Sequence, residues 1–107
     1  MDYHRAIVSL MEELEAVDWY NQRIDATADR DLAAILAHNR DEEKEHAAMA
    51  LEWLRRHDPE LDRFLRQYLF TEGSITALEG TMEASDGAAA GNGASLGIGS
   101  LRGRSNR

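Results

Sequence analysis

The residues of this sequence best placed to do chemistry are carboxylates and imidazoles at helical spacing. Glu43-Lys44-Glu45-His46 sets a carboxylate three residues before an imidazole. On an α-helix that spacing brings both to one face, about one turn apart. Both side chains can then reach one ion, and the glutamate keeps an oxygen with which to bridge to a second. Turning about 100° per residue from Glu43, Leu32, Leu36, Ala47, Ala50 and Leu54 fall within about 40° and His46 at about −60°. On the preceding segment Ala6, Val17, Tyr20 and Ile24 fall within about 40° of Glu13, with Leu10 a little further. Glu13, Glu43 and His46 therefore point into apolar stripes, where a charge is costly unless it is paired. A lone Glu-x-x-His is common on solvated helices, and Glu13 could instead pair with an Arg or Lys across an interface. The shared placement on apolar stripes is what points to a common ion.

The elements that must position these residues are helices. From about His4 to Ile24 and from about Asp31 to Arg56 there is no Gly or Pro, and apolar residues recur at three- and four-residue steps. A short polar turn around 26–30 separates them, with Thr27 or Asp29 as the N-cap of the second. Asp58-Pro59 is an N-cap followed by proline at the first helical position, the start of a third helix striped by Leu61, Phe64, Leu65, Tyr68 and Leu69. Gly73 is expected to stop it, and residues 74–79 to add a further turn. The expected fold is all-α: an antiparallel two-helix hairpin plus a short third helix. A hairpin this small cannot enclose a core, so the third helix or partner chains must complete one.

The chain changes character near Gly80, since seven of its eight glycines lie from there on. The expected organisation is a helical domain over 1–79, a flexible linker over 80–94, and a C-terminal peptide over 95–107 that turns apolar again at Leu96, Ile98 and Leu101.

Composition removes several classes of function. With no cysteine there are no disulfides, thiolate zinc sites or cysteine-ligated iron–sulfur clusters. A net charge of −8, from 20 acidic and 12 basic residues, argues against non-specific nucleic-acid binding and suits a chain that attracts cations. The first residues lack the apolar core of a secretory signal, and no stretch is long and apolar enough to span a membrane, so a cytoplasmic protein is expected.

Di-iron carboxylate bundles use one Glu from each of two helices and a Glu-x-x-His from each of the other two. One Glu and one Glu-x-x-His make half of that set, and a two-fold homodimer would supply the other half. Oxygen and nitrogen donors in this ratio suit iron or manganese better than copper, and the lack of sulfur lowers the case for structural zinc. Iron held by carboxylates near open positions can meet O2, which makes Fe(II) oxidation the natural reaction. Two further acidic faces are present. Glu12 and Glu15 lie beside Trp19 on the first helix, away from Glu13, with Trp19 and Tyr20 read first as packing residues. His38, Glu42 and Glu45 cluster on the second helix, where they could weakly hold a cation or simply form a solvated face.

Met11 to Tyr20 (Met-Glu-Glu-Leu-Glu-Ala-Val-Asp-Trp-Tyr), His38 to Met49, Leu51 to Arg56 and Tyr68 to Gly73 resemble the encapsulated ferritins. The resemblance covers nearly all of residues 4–79. It implies a ferritin-like hairpin whose ferroxidase centre forms between two subunits, with Glu13, Glu43 and His46 as iron ligands and two irons per subunit pair. Glu12 and Glu15 become the carboxylates through which iron approaches, and His38, Glu42 and Glu45 an accessory surface site; calcium or other divalent cations are expected at both. It also implies dimers assembled into ring decamers. Ser95 to Arg102 is similar to the peptides that dock cargo inside encapsulin shells, with Leu96, Ile98 and Leu101 as anchors. The function expected is a ferroxidase that oxidises Fe(II) with O2 and supplies iron for storage inside an encapsulin nanocompartment. The alternatives are a non-catalytic encapsulated divalent-metal binding protein and a purely structural cargo.

Overall fold

The computed structural model describes residues 1–80. Among them α1 spans Asp2–Ala26, α2 Arg30–Arg56 and α3 Pro59–Tyr68, and residues 75–80 are again helical. No strand occurs among the described residues, and no helix there is long and apolar enough to cross a membrane. Leu96, Ile98 and Leu101 lie outside the described residues, as do the expected C-terminal peptide and all of the expected linker after Gly80.

α1 and α2 pack side by side, and two cross-links fix their register. Arg40 Nη1 donates to Asn21 Oδ1 at 3.0 Å, and His46 Nδ1 lies 3.6 Å from Glu13 Oε1. Residue numbers fall on one helix as they rise on the other, so the pair is antiparallel. The turn between them is three residues long. Of the two expected caps, Asp29 takes the N-cap position: its side chain accepts from the Leu32 N–H at 2.9 Å. Thr27 closes α1 in extended conformation, and its hydroxyl accepts from the Asp29 N–H at 3.1 Å. Both helices run slightly beyond the expected limits, because the caps and not the last apolar residues define their ends.

By contact the chain divides into two compact units, residues 1–63 and the part from Phe64 on. In the first unit Asp58 has two duties. One carboxylate oxygen accepts from the Glu60 and Leu61 N–H groups, each at 3.1 Å, as the N-cap of α3. The other accepts from the Tyr3 hydroxyl near the start of α1. Arg55 grips Glu52 through Nε at 2.7 Å and Nη2 at 2.8 Å, and reaches Asp62 with Nη1. In the second unit α3 stops at Tyr68, five residues before Gly73. Phe70 takes the left-handed conformation (φ 62) ahead of the glycine (φ 86), and the Thr71 hydroxyl bonds the Tyr68 carbonyl at 2.7 Å. The expectation that Gly73 ends α3 is therefore corrected: a side-chain-bearing residue adopts the helix-ending conformation first.

The hairpin alone buries little. Among the described residues only Ala47 and Leu54 are buried, while Ile7, Met11 and Leu14 on α1 and Leu32 and Ile35 on α2 stay exposed. Two helices cover one stripe on each other and leave the flanks open.

Two substitutions test this account by urea unfolding followed by circular dichroism. Leu54→Ala is expected to lower stability by about 3 kcal/mol, the cost of emptying a buried leucine site. Asp29→Ala is expected to cost about 1 kcal/mol through the lost cap. A Leu54→Ala effect no larger than that of Asp29→Ala would show that the hairpin seam does not hold the fold.

Candidate metal centre

α1 contributes Glu13 and α2 contributes Glu43 and His46. Because the helices are antiparallel with residue 13 level with 43 to 46, one ligand atom from each side chain can be chosen such that all lie within 4.8 Å of one another. Among the described residues no other set of three or more carboxylate or imidazole groups converges in this way. His46 Nδ1 is 3.3 Å from Glu43 Oε1 and 3.6 Å from Glu13 Oε1. The two glutamates are about three-quarters covered, with 28% and 25% of their side chains exposed, whereas His46 is 46% exposed. The imidazole thus sits at the rim of the apolar stripe, as its offset of about 60° from Glu43 demands.

Electrostatics bind the three together. The hydrogen bond to Glu43 holds the Glu13 carboxyl above the ordinary carboxylate range, helped by partial burial and by repulsion from the second carboxylate; His46 works against this. The same hydrogen bond, with Glu13 as donor, lowers Glu43, and His46 adds to that. Two carboxylates this close share one proton, because both cannot ionise without cost. The hydrogen bond to Glu43, with the charges of Glu13, Glu43 and Glu45, raises His46 against its partial desolvation. Glu13 and His46 thus both hold protons more firmly than the free groups do, at the place where a cation could sit.

The donor set is two carboxylates and one imidazole, with no sulfur. Such a set fits iron or manganese, and it is too open for a structural zinc, which closes with four ligands. Three side chains leave several positions of a six-coordinate ion to water, to substrate or to ligands from another chain.

The remaining expected site residues do not join this cluster. Glu12 and Glu15 are exposed on α1. His38 Nε2 approaches Glu42 Oε2 at 3.5 Å, but Glu45 does not complete a three-ligand group with them. Trp19 is 51% exposed and lines a shallow depression with Gln22, Arg23 and Ala26. Tyr20 is half-buried under the Arg23 guanidinium, 5.7 Å from the ring centroid. Leu96, Ile98 and Leu101 lie outside the described residues. Trp53, which the sequence shows only as part of the Leu51 to Arg56 motif, and His57, to which it assigns no role, stack with centroids 3.8 Å apart and planes 14° from parallel. Their i, i+4 spacing was the signal available.

Comparison with known proteins places this geometry among relatives. The family model described as EncFtn-like matches residues 1–72. An encapsulated ferritin-like protein of Rhodospirillum rubrum is 64% identical over 108 aligned residues, covering 94% of this chain and 77% of that protein. A ferritin-like protein of Thermotoga maritima is 54% identical over 97 residues, 91% of this chain and 82% of that one. The encapsulin nanocompartment cargo protein EncC of Myxococcus xanthus is 47% identical over 53 residues, half of this chain and 41% of its own length. Among solved structures, the crystal structure of protein ne0167 from Nitrosomonas europaea matches with a TM-score of 0.68 and 69% identity, covering 69% of this chain and 81% of that one.

A cation entering the cluster competes with protons on Glu13 and His46, both of which hold a proton more firmly than the free groups do. Both Glu13 and His46 titrate above their ordinary values, so the affinity for a redox-inert divalent probe such as Mn(II) is expected to rise with pH through the imidazole range and then level off. The sign for the metal-free fold is opposite. A raised His46 pKa contributes stability below the unfolded value, and that stability is lost as pH rises through the folded one. Calorimetry at about pH 6 and about pH 8, in buffers of different ionisation enthalpy, should find more protons released at the lower pH. Equal release at both would remove His46 from the ligand set.

Proposed function

The chain belongs to the EncFtn-like family, and from that premise we propose that it oxidises Fe(II) with O2 at a di-iron site completed by a second copy. The observation that carries this reading is the convergence of Glu13, Glu43 and His46 on two adjoining helices, each side chain partly open to the outside. Three ligands are half of the set that a four-helix di-iron bundle uses. Two copies related by a two-fold axis would place two of each ligand around two irons. The apolar flanks left exposed at Ile7, Met11, Leu14, Leu32 and Ile35 provide surface for such pairing.

Iron is substrate in this scheme. Exposed Glu12 and Glu15 gather Fe(II) on the outside of α1. Glu13 and Glu43 neutralise and bridge the pair, while His46 caps each ion. Oxidation of two Fe(II) by one O2, with two protons taken up, gives two Fe(III) and hydrogen peroxide. The charge gained by each iron is balanced by carboxylate, the ligand type that holds the harder ferric ion more strongly. His38, Glu42 and Glu45 would offer an accessory cation position, occupied by calcium or another divalent ion.

The Myxococcus xanthus relative is named an encapsulin cargo protein and the Rhodospirillum rubrum one an encapsulated ferritin-like protein. We extend that setting to this chain: a cargo of an encapsulin shell, docked through Leu96, Ile98 and Leu101, assembled from dimers into a ring and delivering Fe(III) to the shell's interior. The cysteine-free donor set suits a reaction run in the presence of oxygen.

Stopped-flow absorbance after aerobic mixing with Fe(II) tests the proposal. Wild type is expected to form ferric species fast, and Glu43→Ala and His46→Ala to fall to the rate of iron in buffer. Tight Fe(II) binding with no oxygen uptake would instead establish a non-catalytic metal-binding cargo. Wild-type traces that merely follow the buffer, with no binding, would leave a structural cargo.

A further inference from the structure

Beyond His46, one edge of α2 carries a line of oxidisable side chains that the scheme above leaves without a role. His46, Met49, Trp53 and His57 follow at steps of three, four and four residues, and so fall within about 80° of arc on one side of the helix. Trp53 lies seven residues past His46, which is two turns, or about 10.5 Å along the axis, at nearly the same azimuth. The thioether of Met49, soft and polarizable, stands between them and is 58% exposed. The far end is held by geometry. The His57 ring stacks on the indole at 3.8 Å and 14°, and His57 Nδ1 donates to the Trp53 carbonyl at 2.8 Å. That bond locks the imidazole over the indole, where its π system can share positive charge.

The other aromatic residues lack this combination. Tyr20 stands seven residues past Glu13, a comparable separation, but the Arg23 guanidinium lies 5.7 Å over its ring. A cation over an aromatic face opposes removal of an electron from it. Trp19 is turned about 120° away from Glu13 on α1 and is 51% exposed. The titratable groups that share the groove with Trp53 are Glu45, Glu52, Arg56 and the stacked His57. Arg56 Nε is held by Glu52 at 2.7 Å, and among the described residues no guanidinium lies over the indole face as Arg23 does over Tyr20; the ring stacked there is the His57 imidazole.

We propose that Trp53 is an electron donor to the metal centre, supplying through Met49 an electron that two irons cannot. The inference rests on the ferroxidase reading and deepens it. Two Fe(II) carry O2 only as far as peroxide, and water requires four electrons. With Trp53 (written TrpH) and a third Fe(II) the balance is 3 Fe(II) + TrpH + O2 + 3 H+ → 3 Fe(III) + Trp• + 2 H2O. The electron leaves the indole π system, and the Nε1 proton passes to solvent, which reaches this half-buried ring. A fourth Fe(II) and a proton then restore the indole, and the net reaction is 4 Fe(II) + O2 + 4 H+ → 4 Fe(III) + 2 H2O. The consequence is that less peroxide escapes beside exposed methionines and the ligands themselves.

Rapid freeze-quench paramagnetic resonance of the full chain, mixed with Fe(II) and O2, should show an indolyl radical that is lost in Trp53→Phe and kept in Trp19→Phe and Tyr20→Phe. Peroxide released per iron should rise in Trp53→Phe toward the limit of one per two irons. A second arm needs neither iron nor a variant. Flash photo-oxidation of the metal-free wild type, followed by mass mapping of the oxidised residue, should locate the damage at Trp53 in preference to Trp19 and Tyr20. Fe(II) oxidation with no indolyl radical and an unchanged peroxide yield overturns the proposal while leaving the ferroxidase reading standing. Absence of Fe(II) oxidation overturns that reading, and with it the donor role. In that case photo-oxidation at Trp53 would still identify it as the chain's electron-donor site, and damage centred on Trp19 or Tyr20 would overturn that as well.

Discussion

The constraint on which the rest depends is that two carboxylates and an imidazole are held against one another on the seam of a helical hairpin. Glu13 and Glu43 cannot both be ionised there without a positive partner, and the protein has three ways to supply one: a shared proton, an imidazolium, or a metal ion. The first two are favoured in the metal-free cluster, since Glu13 and His46 both hold protons more firmly than they would in water. A divalent cation bound there would replace both at once. The same repulsion that makes the seam unfavourable when empty makes it selective for cations when filled.

This seam also explains why the hairpin is so lightly built. With only Ala47 and Leu54 buried among the described residues, the chain has little core of its own to offset the cost of clustering charge. Order comes instead from helix ends and cross-links. Asp29 caps α2, Asp58 caps α3 while bonding Tyr3, and Arg55 ties Glu52 to Asp62. The Glu52 carboxyl is pulled down to about 2, first by its hydrogen bonds from Arg55 and then by those from Arg56, so this link persists across any pH at which the metal cluster is loaded. Stability and function are thus carried by different charges. The polar links lie toward the end of α2, and the candidate metal-binding group lies near its middle.

Helix periodicity then distributes further roles along α2. The repeat that puts Glu43 and His46 on the seam carries the same edge onward to Met49, Trp53 and His57. A single helix can therefore hold the ion and present redox-active side chains at regular distances from it, provided no cation is placed over the ring that must give up an electron. Arg23 over Tyr20 and the neutralised Arg56 near Trp53 show both sides of that proviso.

Much was legible in the sequence because it follows from period and punctuation. The absence of Gly and Pro through residues 4–24 and 31–56, the Asp58-Pro59 start and the centring of Glu13, Glu43 and His46 on apolar stripes depend only on local helical geometry, and the observed helices agree. The motifs at Met11 to Tyr20 and His38 to Met49 also sufficed to indicate the family. Other features were beyond it for physical reasons. Where α3 ends was decided before Gly73, with Phe70 taking the left-handed conformation (φ 62) that the sequence alone assigns first to glycine. The convergence of Glu13 with Glu43 and His46, and the rise in the Glu13 pKa that goes with it, depend on how the two helices meet. Residue spacing along one helix is determined by that helix alone; the distance between a residue on α1 and one on α2 exists only once the turn and the packing have set the register.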